Sequence, residues 1–145
     1  MRAVDTNLLV FAEITSSRHH GRALGLLREL AGDARPWAIP WPCLYEFLRV
    51  VTHPRVFHPP VPMDRALSDL GRILRSPSLR LLAETPRHLA IMAQVLKDGG
   101  TVGNLVHDAH IAALCLEHGV SELFTGDRDF HRFPGLRVVD PFQGI

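Results

Sequence analysis

The chain has 145 residues, a length that fits one domain spanning residues 1–145. Hydrophobic residues make up 46% and charged residues 21%, which excludes a disordered chain and permits a substantial core. The formal net charge is +1, so no bulk basic signal marks a nucleic-acid binder, and any grip on phosphate must come from a local patch or from a metal.

In chain order, Arg2–Val4 reads as a short strand and Asn7–Ala12 as a short helix. His19–Leu30 follows as a helix, with Ala23, Leu24, Leu27 and Leu30 at helical spacing. Trp37–Ile39 is a second strand, and Pro42 is well suited to open a helix running to Val51. His53–Pro62 is a proline-rich loop, and Asp64–Leu74 an amphipathic helix. Leu79–Leu82 is a third strand, and Pro86–Lys97 a helix that Gly99 and Gly100 end. Leu105–Glu117 is the most apolar helix, stopped by Gly119. Glu122–Thr125 and Leu136–Val139 complete the strands. Strands alternating with helices predict an α/β fold, a three-layer α/β/α sandwich around a central parallel sheet. There is no repeat and no linker long enough to divide the chain.

Cys43 and Cys115 fit no zinc spacing and read as reduced thiols that behave as small hydrophobes. The N-terminus shows no signal peptide, and no run of about 18 apolar residues predicts a membrane helix, so a cytoplasmic protein is expected.

The topology places the acids. In an open α/β sheet, sites form beyond the carboxyl ends of the strands. Asp5 follows the first strand directly, and Asp127 lies just past the fourth. The helix carrying Glu46 leaves the second strand at that same edge, which puts Glu46 near its first turn. The helix of Asp108 runs antiparallel to the strand it precedes, so its N-terminal turn returns there too. Each acid alone has an ordinary reading: Asp5 as a helix cap, Asp108 as a partner of the helix dipole, Asp127 as a turn residue, Glu46 as a solvated helix position. Their convergence favours a site. Two carboxylates about 4 Å apart repel by about 4 kcal/mol at an effective dielectric near 20, so a proton or a cation must enter. All-oxygen sites suit Mg²⁺ or Mn²⁺, and two such ions roughly 3.5–4 Å apart can serve both the attacking and the leaving oxygen of a phosphodiester.

Val4-Asp5-Thr6-Asn7, the helix around Glu46, the segment Gly103–Ala113 around Asp108, and Thr125-Gly126-Asp127-Arg128-Asp129-Phe130 followed by Phe133-Pro134-Gly135-Leu136 together resemble the PIN-domain family. The similarity spans nearly the whole chain, and the size is that of the bacterial VapC-type toxins within that family. The resemblance implies a Mg²⁺-dependent endoribonuclease, with Mn²⁺ able to substitute, whose products carry 5′-phosphate and 3′-hydroxyl ends. It implies a VapB-type antitoxin partner, a homodimer and an RNA substrate. Asp5 and Asp108 would be the surest metal ligands, with Glu46 and Asp127 completing the acidic site directly or through water. Thr6, Asn7 and Thr125 would orient the carboxylates, and Asp129 would either support a second metal or face away.

Arg49, His53, Arg55 and His58 follow Glu46, and Arg49 and Arg55 are the candidates for gripping RNA phosphates beside an acidic rim that otherwise repels them. Nine histidines are many for this length. His107 and His110 flank Asp108 but point to different sides of it, with no zinc pattern, and His19 and His20 are expected in solvent. Trp37 and Trp41 are expected as core or dimer contacts. The apolar loop Val56–Met63 is a candidate groove for the antitoxin. Two other functions compete. One is a non-catalytic PIN-like module that binds RNA or protein; the intact acids disfavour it. The other is an aspartyl phosphotransferase using Asp5, which expects an acid where Asn7 stands.

Overall fold

Every strand of the sheet runs the same way, and the order of the strands decides where a site can form. The computed structural model describes residues 1–144. Its elements are β1 (Arg2–Val4), α1 (Thr6–Glu13), α2 (His20–Gly32), β2 (Trp37–Pro40), α3 (Trp41–Val51), α4 (Met63–Leu74), β3 (Leu79–Leu82), α5 (His88–Asp98), α6 (Leu105–Glu117), β4 (Glu122–Phe124) and β5 (Arg137–Val139). A 3₁₀ helix, Arg128–Arg132, lies between the last two strands.

The sheet has the order β3-β2-β1-β4-β5 and is parallel throughout. β1 lies between β2 and β4, with Ala3 beside both Ala38 and Leu123. All four residues of β2 are buried, as expected of a strand covered on both faces. The chain builds outward from β1 through β2 to β3, then returns to β1's other side with β4 and β5. The connections therefore diverge between β1 and β4, and a crevice opens there at the carboxyl ends of the strands. Among the described residues, six α-helices flank the sheet in an α/β/α sandwich, the architecture read from the sequence.

The core is continuous from Leu8, Leu9 and Leu30 through Trp37 and Phe47 to α6, where Ile111 to Cys115 are all buried. Phe130 and Phe133 bring the closing segment into it. Gly119, at φ +71°, ends α6 in a left-handed turn that favours glycine. Among the described residues, no helix is long and apolar enough to cross a membrane.

Several boundaries differ from the sequence expectation. The helix expected from Pro86 begins at His88, because the His88 amide closes a turn onto the Thr85 carbonyl at 2.9 Å. The helix expected from Pro42 begins one residue earlier, with Pro42 inside its first turn. The 3₁₀ helix was not anticipated; Asp127 caps it by accepting from the Asp129 amide. His19 and His20 are not in solvent. The His19 ring lies 4.9 Å from Phe11 and 4.7 Å from Phe142, and His20 Nδ1 is 3.0 Å from the Phe11 carbonyl. Trp37 is core, whereas Trp41 is partly exposed beside Tyr45. The apolar loop is divided: Val56, His58, Pro59, Pro62 and Met63 are exposed, while Phe57 and Val61 pack on the core.

Candidate active site

Asp5 is both a helix cap and a member of the acidic cluster. Extended backbone at Asp5 ends β1 and starts α1, and its Oδ1 accepts from the Thr6 amide at 2.7 Å. Asp5 Oδ2 accepts from the Thr125 hydroxyl at 2.8 Å and from Asn7 Nδ2 at 3.2 Å. The Cys43 thiol donates to Oδ1 at 3.6 Å. Burial pushes the Asp5 carboxyl up to about 6 and the nearby charge of Glu46 adds to this, against the hydrogen bonds from Thr125, Thr6 and Cys43. Burial, then the charge of Asp5, raises the Cys43 thiol, which therefore stays protonated and able to donate.

The other acids come from three further elements. Glu46 lies at the start of the second turn of α3, next to the first turn, and its Oε2 accepts from the Thr6 hydroxyl at 3.1 Å. Asp108 lies in the first turn of α6 and Asp127 just after β4. Asp5, Glu46, Asp108 and Asp127 line one cavity of about 200 Å³ with Thr6 and Asn7. Asp108, Asp127 and Asp129 each offer an oxygen within 4.8 Å of the others. Asp129 thus joins the cluster rather than facing away. No donor among the described residues reaches the Asp108 carboxylate. Burial, followed by the charges of Asp127, Asp5, Asp129 and Glu46, pushes its carboxyl up to about 7. An acid held near neutrality among acids, with no hydrogen bond to relieve it, is a place where a proton or a cation binds.

The three polar residues expected to orient the acids do touch them. Thr6 reaches Asp5 and Glu46, and Asn7 reaches Asp5 and the Thr125 hydroxyl. Thr125 reaches Asp5 and accepts from the Asp127 amide at 3.0 Å.

Of the two arginines, Arg49 is at the site and Arg55 is not. Arg49 Nη2 lies 3.9 Å from Glu46 Oε1 and borders a cavity of about 550 Å³ that Glu46, His107, Asp108 and His110 also line. Arg55 sits in the exposed loop after α3 and lines none of the cavities at the acids. Sequence reasoning missed Cys43, whose role depends on a contact across 38 positions. It also missed Arg18 and Arg128, which line a third cavity with Asn7 and Asp127; Arg128 was legible as the cation beside Asp127.

The model of the PIN domain matches residues 2–136. The chain belongs to the PIN-domain family. Ribonuclease VapC37 of Mycobacterium tuberculosis is 38% identical over 141 residues, covering 97% of both chains. In structure, this PIN domain is similar to VapBC2 from Rickettsia felis, solved bound to a DNA fragment from their promoter (TM-score 0.68, 21% identity, 95% and 96% of the two chains). It is also similar to a toxin–antitoxin complex from Klebsiella pneumoniae (TM-score 0.64, 20% identity, 98% of each chain). PIN-domain ribonucleases are metal-dependent, and the acid clusters here have the all-oxygen chemistry that a hard divalent ion requires.

Proposed function

We propose that this chain is a Mg²⁺-dependent endoribonuclease and the toxin of a type II toxin–antitoxin pair, with Mn²⁺ able to replace Mg²⁺. The observation that carries the reading is the meeting of Asp5, Glu46, Asp108 and Asp127 around one cavity at the β1–β4 crevice. The resemblance to a relative named as a ribonuclease, over nearly the whole of both chains, supports the same substrate class.

Asp5, Asp108 and Asp127 are the metal ligands in this reading, and Glu46 completes the acidic site. A divalent ion there supplies charge that polarises the phosphodiester and acidifies an attacking water. The protein prepares the carboxylates. Donors from Thr6, Asn7 and Thr125 fix both oxygens of Asp5, so little motion is needed when the ion arrives. Thr6 fixes one oxygen of Glu46. Asp108 carries no such donor and is the acid most ready to exchange a proton for the cation. Asp129, brought alongside Asp108 and Asp127, supports a second ion. Arg49 and Arg128 border the acids and receive the phosphates that the acidic rim repels.

The antitoxin is a VapB-type partner. The exposed apolar side chains of Val56, Met63 and Leu67, and a groove of about 700 Å³ lined by Leu9, Leu24, Leu27 and Ile73, provide apolar surface for it. Leu89 and Val102, 82% and 75% exposed, suit cover by a second copy in a homodimer.

The test is cleavage of cellular RNA by purified protein, with end mapping of the products. Cleavage in Mg²⁺, none in chelator, and at least a hundredfold loss in Asp108→Asn are expected. Full activity in chelator, or in Asp108→Asn, would overturn the reading. Hydrogen exchange with co-expressed antitoxin should show protection within residues 56–74; unchanged exchange there would remove that surface.

A further inference from the structure

A second group of metal-ligating side chains lies outside the acidic rim. Glu84 stands in the connection after β3, His88 is the first residue of α5, and His110 is in α6. One carboxylate oxygen of Glu84 and one ring nitrogen from each histidine lie within 4.8 Å of one another. His110 Nε2 is 2.7 Å from Glu84 Oε1. The two imidazoles stand 5.4 Å apart, centroid to centroid, at 65°.

Two histidine–carboxylate contacts on a surface are an ordinary means of satisfying imidazoles. The neighbourhood of His88 goes beyond that. Its Nδ1 is 2.7 Å from Oε2 of Glu117, whose side chain is 0% exposed. Glu117 Oε1 accepts from the Thr85 amide at 2.9 Å, and Arg87 donates to the Glu117 carbonyl at 2.9 Å. A buried carboxylate held by the Thr85 amide and set against one ring nitrogen fixes the imidazole tautomer and orientation. With Nδ1 turned to Glu117, Nε2 is the nitrogen that remains to coordinate, the arrangement in which a carboxylate backs a metal-binding histidine.

We propose that Glu84, His88 and His110 form a binding site for a divalent transition ion, Zn²⁺ above all, with Glu117 positioning His88. Two imidazoles and one carboxylate make a three-ligand set that leaves room for a water as the fourth ligand. Imidazole nitrogen favours Zn²⁺, Co²⁺ or Ni²⁺, whereas the carboxylate rim favours Mg²⁺ or Mn²⁺. The chain thus carries two centres of different ligand softness. They are neighbours, because His110 follows Asp108 by two residues and lines the cavity that Glu46 and Asp108 also line. An ion at Glu84, His88 and His110 ties the β3–α5 connection to α6 and adds positive charge at the border of that cavity. The site does not depend on the ribonuclease reading.

The test is titration of the tag-free, metal-stripped full chain with ZnCl₂ in excess MgCl₂, followed by calorimetry, and with CoCl₂, followed by visible absorption. Wild type should bind one equivalent of Zn²⁺ that Mg²⁺ does not displace, and should gain thermal midpoint on binding. Asp108→Asn should keep that equivalent. Glu84→Gln, His88→Gln and His110→Gln should each weaken it at least about tenfold, and Glu117→Gln by about 10–100-fold. Glu84 is exposed, so its variant separates loss of a ligand from loss of fold. No Zn²⁺ bound by wild type, or unchanged affinity in both Glu84→Gln and His110→Gln, would overturn the proposal.

Discussion

Thr125 and Asp5 are 120 positions apart, yet the Thr125 hydroxyl donates to Asp5 Oδ2 at 2.8 Å. Thr125 Oγ1 in turn accepts from Asn7 Nδ2 at 2.9 Å and from the Asp127 amide at 3.0 Å. A hydroxyl has one donor and two acceptor positions, so Thr125 is fully used. It ties the carboxyl end of β1 to that of β4, across the point where the connections diverge.

Thr125→Val keeps the shape and removes all three bonds. RNA cleavage should fall about 10–100-fold, as for other residues that orient ligands. Stability to urea should fall by about 1–3 kcal/mol, because Asp5 is left short of a donor while buried. Thr125→Ser should retain most of both. A Val variant with wild-type cleavage would exclude the orienting role.

Protons and cations should compete at the acidic rim. Asp5 and Asp108 sit at about 6 and about 7, above their ordinary value of 3.8, with burial the first cause for each. Between those limits the folded metal-free protein holds more protons than the unfolded chain. Its stability from these groups is therefore full below about pH 4 and is lost as the pH rises through 6 to 7. In chelator the thermal midpoint should drop across that window. The gain from Mg²⁺ should grow from slight near pH 5 to large near pH 8. A Mg²⁺ shift equal at both ends would show that the ion binds elsewhere.

Much of this site was legible because it follows from topology. A parallel sheet places Asp5 and Asp127 at strand ends and returns the first turn of α6 to the same edge, so alternation of strands and helices sufficed to gather the acids. Contacts that depend on a few tenths of an ångström across the fold were not legible. Nothing local marks Cys43 as a donor to Asp5, or Glu117 as a buried carboxylate in the most apolar helix. The partners of Glu117, at Thr85 and His88, come from about thirty positions away. The turn that the His88 amide closes onto the Thr85 carbonyl is why α5 starts later than Pro86. The direction of Asp129 depends on the 3₁₀ helix after Asp127, which no periodicity marks and which leaves its carboxylate beside Asp108 and Asp127.

Glu13, at the end of α1, gives a second pH effect, away from the site. Burial, then the neighbouring carboxylate of Asp69 in α4, pushes it up to about 7 from 4.5. Its Oε1 is buried with no hydrogen-bond partner among the described residues. The protonated form stabilises the fold below about pH 4.5, and that contribution is lost as the pH rises through 7. Glu13→Gln should therefore be more stable than wild type near pH 8 and little different near pH 5. Glu13 is only partly buried, and solvent screening keeps the gain below about 1 kcal/mol. Denaturant midpoints at the two pH values decide it, and a larger gain at the lower pH would show the sign to be wrong.

Arg49 and Arg55 stood as equals in the sequence and should separate in solution. Arg49 meets Glu46 only at 3.9 Å and is largely exposed. A pair of that kind contributes about 0–1 kcal/mol, so the fold does not need it. Its place beside Glu46 and Asp108 lets it exchange the carboxylate for a phosphate of RNA bound at the acids. Arg49→Ala should leave stability within about 0.5 kcal/mol and weaken RNA binding several-fold. The slope of log affinity against log salt should shrink by about 0.7, the value for one phosphate contact on a single strand. Arg55 donates its backbone amide to His53 Nδ1 and lies off the cavities at the acids, so Arg55→Ala should change neither quantity. Arg128→Ala should behave like Arg49→Ala, because Arg128 shares a cavity with Asp127. Equal effects from Arg49 and Arg55 would mean that RNA approaches along the α3–α4 loop rather than across the cavity shared by Glu46 and Asp108.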